Sequence, residues 1–410
     1  MIVKDLELRN LSVRRNRTFM QRVDISAFEN KKTALVLSGG VVKAAAWHLG
    51  VALALEELGF TLKNNQSSPS KLEIGTYVGS SAGALINLYF ACGFRPMDVI
   101  KATLRRKDSK IPAVSYKDML CLKKPSGKPP RSTVYDPFDG FPLFLKQILK
   151  PMLNISGFFT THGLYEYIQK NVLVSDNFED YLSDLFIVAT QLDHSRKVIF
   201  GKYNYPNPSH DSTAHYYTGT PVSQAVAASM SVPPFYSPYP VNNSQTGQTD
   251  YYIDGEIRET LSTHVAIDNG CEYIISSWTH TPYHYHDEIG SLINYGLPAI
   301  AMQSIYLMIQ KKIVSSRAKR KTAEDIIDTV NDYLKTNKFD EVHRKKLISI
   351  LERKLDFKRN VNLVDIYPDH EHYNIFFRNS FSLNPNKTSE LVSLGYKRTM
   401  DIFNNHEWVD

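Results

Sequence analysis

Between Thr33 and Ala91 the chain alternates twice between strand-like and helix-like patterning, and this constrains the fold more than any other feature. Thr33 to Leu37 is a short β-compatible run ending in Ser38-Gly39-Gly40. A helical stretch follows from Ala44 to Leu58, with Gly59 placed as its C-terminal stop. After a polar loop from Asn64 to Ser70, a second strand runs from Leu72 to Val78 and a second helix from about Ala82 to Ala91. Strand, helix, strand and helix in succession predict a parallel sheet with helical crossovers. Leu185–Thr190, Tyr251–Ile253 and Tyr273–Ser277 read as further strands. From about Ser291 the chain is mostly helical, with Ile326, Ile327, Val330 and Leu334 on one helical face.

Composition excludes several classes. The chain has 410 residues, 42% apolar and 22% charged, which supplies a sizeable core and rules out a disordered chain or a collagen-like fibre. A net charge of +6 is a mild bias, not the dense cationic field of a nucleic-acid binder, and no nucleic-acid recognition motif accompanies it. Cys92, Cys121 and Cys271 are far apart and odd in number, so reduced thiols in a cytosol-like compartment are expected. Met1 to Asn30 lacks the apolar core of a signal peptide, although export by a specialised apparatus leaves no such mark. The expected division is an N-terminal extension over 1–30, a catalytic domain over 31–290 and a mostly helical region over 291–410. Within the domain, 101–133 forms a basic, Pro-interrupted excursion.

Gly79-Ser80-Ser81-Ala82-Gly83 follows one strand directly and opens the next helix. A turn this sharp strains its central residue, the flanking Gly79 and Gly83 relieve crowding, and the Ser81 hydroxyl is held above the sheet at the positive end of a helix. A serine needs a base and an oxyanion stabiliser to act as a nucleophile. Gly39, Gly40 and Val41 lie in the loop after the first strand, and strand C-termini converge on one edge of a parallel sheet, so their N–H groups are candidate oxyanion donors. The candidate base is Asp254, at the end of a strand and followed by the flexible Gly255; Asp-Gly is also a common turn dipeptide.

In this order the three elements resemble the patatin-like phospholipase family. Ile187-Val188-Ala189-Thr190-Gln191-Leu192-Asp193 resembles that family's core strand, and Ala225 to Pro234 its Ala-x-x-Ala-Ser segment leading into a proline turn. The similarity covers about residues 31–280, with a weaker echo near Leu391 to Tyr396. It implies a three-layer α/β/α fold around a mainly parallel sheet. It also implies Ser81 as nucleophile, Asp254 as its direct base in a Ser–Asp dyad, and Lys43 at a basic position beside the oxyanion loop. The substrate it implies is a phospholipid or other lipid ester met at a membrane surface, with no cofactor and no metal. Three positions depart from the family pattern: Val41 replaces a third glycine, Ala44 a closing glycine, and Glu256 a small residue after Asp-Gly. β-Branching at Val41 narrows the loop's conformations, and a carboxylate at 256 raises the pKa of Asp254 or restricts anionic substrates.

Two other readings compete. An α/β-hydrolase with a Ser–His–Asp triad would take a late histidine such as His370, His372 or His406. A non-catalytic lipid-binding or interaction protein would keep the fold while Val41 and Glu256 spoil the site. The groups His280, His284, His286, Asp287 and Asp369, His370, Glu371, His372 have zinc-ligand residue types but no recognised spacing. His48 is expected to pack. Arg105, Arg106, Lys107, Lys123, Lys124 and Lys128, and a second run over Lys311, Lys312, Arg317, Lys319, Arg320 and Lys321, suit either a solvated face or anionic head groups. Leu292 to Ile309 carries no charge, and its Asn294, Gly296, Pro298, Gln303 and Ser304 predict a core or surface-bound helix instead of a bilayer span.

Overall fold

Residues 23–122, 140–149, 156–205, 214–243 and 247–405 are described by the structure, a computed structural model. Lys123, Lys124, Lys128 and His406 lie outside them, as do the side chains of His370 and Glu371.

Uninterrupted apolar runs become the interior strands. β1 (Thr33–Leu37) and β11 (Tyr273–Ser277) are buried at every position, as expected of strands covered on both faces. The other strands are β2 (Thr61–Leu62), β3 (Glu73–Ser80), β4 (Cys121–Leu122), β5 (Phe159–Thr160), β6 (Asp184–Gln191), β7 (Arg196–Phe200), β8 (Ala214–Tyr217), β9 (Tyr239–Asn242), β10 (Thr249–Asp254) and β12 (Asn362–Ile366). The main sheet runs β12-β11-β1-β3-β6-β10-β9, with β2 on β3 and the β7–β8 pair on β6, while β4 and β5 form a separate small sheet. The block from β12 to β6 is parallel; β7 and β10 both run antiparallel to β6. Helices pack on the sheet, one core cluster gathering side chains of the helices Val41–Leu58 and Ala82–Ala91 and a second those of Thr263–Asp268. The architecture is the three-layer α/β/α sandwich that the resemblance implies, with the parallel block that the alternating pattern predicts.

Register explains how distant motifs meet. β6 pairs with β3 through Asp184–Val188 and with β10 through Ala189–Gln191, while β7 pairs with Ile187–Gln191. Sharing residues with both, β7 must occupy the opposite edge, so β3 and β10 lie end to end on one edge of β6. Ser80 sits opposite Val188 and Asp254 opposite Ala189, consecutive positions of β6. The two strands run toward each other and stop at the two motifs.

The region after residue 290 is not a separate body. It adds β12 to the sheet edge beside β11 and packs the helix Pro385–Asn405 against the helix Val41–Leu58. The expected helix over 292–309 is a short 3-10 turn, Leu292–Tyr295, followed by a helix running from Gly296 to Thr336 with Pro298 in its first turn. Its apolar start lies on the surface instead of in the core: Ile293 is 73% and Leu297 77% exposed. By length and composition it is also long and apolar enough to cross a membrane. Farther along, Ile327 and Leu334 are buried and Val330 packs partly, but Ile326 lies off that face and is exposed.

Candidate active site

Ser81 stands alone between β3 and the helix Ala82–Ala91 with φ 52° and ψ −122°, a left-handed backbone that L-residues avoid. The chain crowds around it because neighbouring side chains are missing. A Cβ on Gly83 would lie 2.2 Å from the Leu37 carbonyl oxygen, and one on Gly79 2.6 Å from the Ala84 nitrogen. The glycines at these two positions therefore let the elbow press against β1 and its own helix. The turn is tied down from a direction the motif does not reveal: Ser81 N–H donates to Ser229 Oγ at 2.8 Å, and Ser229 Oγ donates to the Val188 carbonyl at 2.6 Å. Ser229 is the serine of the Ala-x-x-Ala-Ser segment.

Asp254 arrives from the opposite direction along the same edge of β6. Its N–H donates to the Ser231 carbonyl at 3.0 Å and its Oδ1 accepts from Glu256 N–H at 2.9 Å, and the register of β6 sets the carboxylate beside the Ser81 elbow. Burial raises its pKa from 3.8 to about 6, against the lowering effects of the Ser81 and Glu256 hydrogen bonds. A carboxylate with a pKa near neutrality is a stronger proton acceptor than a solvated one and is still ionised at pH 7.

The helix predicted to start at Ala44 begins three residues earlier, at Val41, so the glycine-rich loop becomes a helix N-terminus. Gly40 has φ 125° and Val41 φ 57°. Among the described residues no acceptor is paired with the Gly40 or Val41 N–H. Val41 lines the same cavity as Ser81. Gly39 differs from expectation, since its N–H donates to Glu256 Oε1 at 2.7 Å and is taken. Lys43 also points elsewhere. It is buried, donating to Tyr306 Oη at 2.7 Å, and so ties the loop's helix to the long C-terminal helix.

The cavity beside Ser81 is mostly apolar, with Leu49, Leu85, Ile86, Val99, Leu164 and Met230 on its walls. Among the described residues no histidine lines it. His48 is buried between Ser277 Oγ and the Ser38 carbonyl, and burial lowers its pKa to about 4. Among the described residues no three His, Cys, Asp or Glu side chains converge as a metal site. In the second basic run Arg317 pairs with Asp365 at 2.7 Å and Arg320 donates to the Val361 carbonyl, so these two cations work inside the fold; Lys311, Lys319 and Lys321 are exposed.

No curated protein matches the chain. The structure of VipD from Legionella pneumophila is similar at 14% identity over 92% of this chain and 67% of that chain, with a TM-score of 0.34. The family model described as Patatin-like phospholipase matches residues 35–267, more than half of the chain. This protein belongs to the patatin-like phospholipase family.

Proposed function

We propose that this protein is a lipid acyl hydrolase of the phospholipase A or lysophospholipase type, acting through Ser81 and Asp254. The Ser81 oxygen attacks the carbonyl carbon of a lipid ester while Asp254 takes its proton. The tetrahedral oxyanion is met by the unpaired N–H groups of Gly40 and Val41 at the start of a helix, where the backbone dipoles favour negative charge. Collapse expels the alcohol, which receives the proton back from Asp254 and leaves the acyl group on Ser81. Water, deprotonated by the same carboxylate, then releases the fatty acid. No imidazole intervenes.

The observation that carries this reading is the strand register that sets the strained Ser81 elbow beside the buried Asp254 carboxylate, with Ser81 on the wall of an apolar cavity. A cavity of hydrophobic walls suits an acyl chain, whose burial contributes about 0.8 kcal/mol per methylene. The exposed apolar start of the Gly296–Thr336 helix, with Lys311 beyond it, supports work at the surface of a membrane. The three unpaired cysteines suit the cytosolic side. Fatty-acid release from mixed phospholipid vesicles, followed by mass spectrometry, tests the proposal. Wild type should release fatty acid and Ser81→Ala should not; equal release by both refutes it.

A further inference from the structure

Glu256 follows the Asp254-Gly255 pair directly, and its side chain turns inward. One oxygen, Oε1, accepts from Gly39 N–H at 2.7 Å and from the Ser80 hydroxyl. Gly39 belongs to the loop that leads to the Gly40 and Val41 donors; Ser80 immediately precedes the nucleophile. The fit is close: a Cβ on Gly39 would lie 2.7 Å from both Glu256 Cγ and Ser81 Cβ. Asp254, two residues earlier in the same turn, accepts from Glu256 N–H. Two segments remote in sequence, and the turn that carries Asp254, therefore meet at a single residue.

We propose that Glu256 is a positioning residue for acyl transfer: its Oε1 clamps the oxyanion loop to the nucleophile elbow and fixes the spacing between Ser81 and the Gly40 and Val41 donors. This rests on the reaction proposed above.

The surroundings say which form of the carboxyl does this. Both donors use Oε1, while Oε2 is buried without a hydrogen-bond partner among the described residues. The charged and titratable groups around it are Asp254 on its own turn, His280 Nδ1 at 3.9 Å from Oε2 after β11, and Lys312 on the long helix. Lys312 is engaged with the Ile257 carbonyl at 3.0 Å, and burial lowers the His280 pKa to about 3, so it is neutral. Burial first, and the Asp254 charge second, push the Glu256 carboxyl well above the ordinary range. A proton on Oε2 removes a charge that nothing there solvates, and Oε1 remains a neutral acceptor. The clamp needs an oxygen, not a charge.

Glutamine keeps that oxygen, and shorter side chains lose it. Amide hydrogen exchange over residues 38–43 and steady-state hydrolysis are to be measured for wild type, Glu256→Gln, Glu256→Asp and Glu256→Ala. In Ala and Asp we expect exchange to rise about tenfold or more and kcat to fall about tenfold with KM within about threefold, whereas Gln stays within about threefold of wild type. Gln as damaging as Ala would overturn the neutral clamp, and so would unchanged exchange in all three variants. Should Ala fail to fold, Asp and Gln still decide the matter. Full hydrolysis by a Ser81→Ala control would sink the reaction assignment alone, because exchange reads the clamp without catalysis.

Discussion

Replacing Asp254 by asparagine should stabilise the fold and stop the reaction, and the stabilisation should depend on pH. In the folded protein the Asp254 pKa is raised from 3.8 to about 6, chiefly by burial. A shift of about two units corresponds to about 3 kcal/mol, since each unit is about 1.4 kcal/mol. The folded state holds the proton more tightly than the unfolded chain, so this group's contribution is fully present below about pH 4. It is lost as the pH rises through about 6, and above that a buried carboxylate weighs on the fold. Asparagine is close in shape to the protonated acid: its Oδ1 can still accept from Glu256 N–H and its Nδ2 can donate to Ser81 Oγ. Urea unfolding followed by tryptophan fluorescence should therefore give nearly equal stabilities for wild type and Asp254→Asn at about pH 4. At about pH 8 the variant should be more stable by about 2–3 kcal/mol. A gain of the same size at both pH values would refute the reasoning, and so would a loss at pH 8.

Other outcomes follow from the same geometry. Hydrolysis should rise with pH through about 6 as Asp254 becomes able to accept a proton, so the rate at about pH 5 should be roughly a tenth of that at pH 8; a flat profile would separate Asp254 from the reaction. Gly83→Ala drives a methyl group to within 2.2 Å of the Leu37 carbonyl, so it should cost at least about 2 kcal/mol in a urea melt and abolish hydrolysis. Leu297→Glu with Leu307→Glu places charge on exposed positions of the long helix. It should leave the thermal midpoint within a few degrees while lowering sedimentation with anionic vesicles about tenfold.

Much of this was legible in the residues themselves. The buried apolar runs of β1, β3, β6 and β11 and the glycine stop at Gly59 follow from local patterning, and their βα order dictates the parallel block. β12 escaped because Asn362–Ile366 lies among helical segments and becomes a strand only by pairing with β11. The apolar stretch after Leu292 could have lain in the core or on the surface, since composition is the same in both cases; only packing puts Leu297 in solvent. At the site, local patterning picks out Ser81 and the glycine loop as candidates, while Asp254 stands out from an ordinary Asp-Gly turn only through the family resemblance. They do not reveal that Ser229 anchors the elbow, that Lys43 turns toward Tyr306, or that Glu256 takes the Gly39 N–H. Each of these is a side-chain hydrogen bond between residues far apart in the chain, and no local pattern encodes its direction.

Proton transfer from Ser81 straight to Asp254 is the central claim, and mapping a covalent adduct tests it most directly. Wild type, Asp254→Asn, His48→Ala and His280→Ala are to be treated with a fluorophosphonate and the modified peptide sequenced by mass spectrometry. The account predicts an adduct on Ser81 that forms at close to the wild-type rate in both histidine variants and about a thousandfold more slowly in Asp254→Asn. An adduct on another residue, or undiminished labelling of Asp254→Asn, would contradict it.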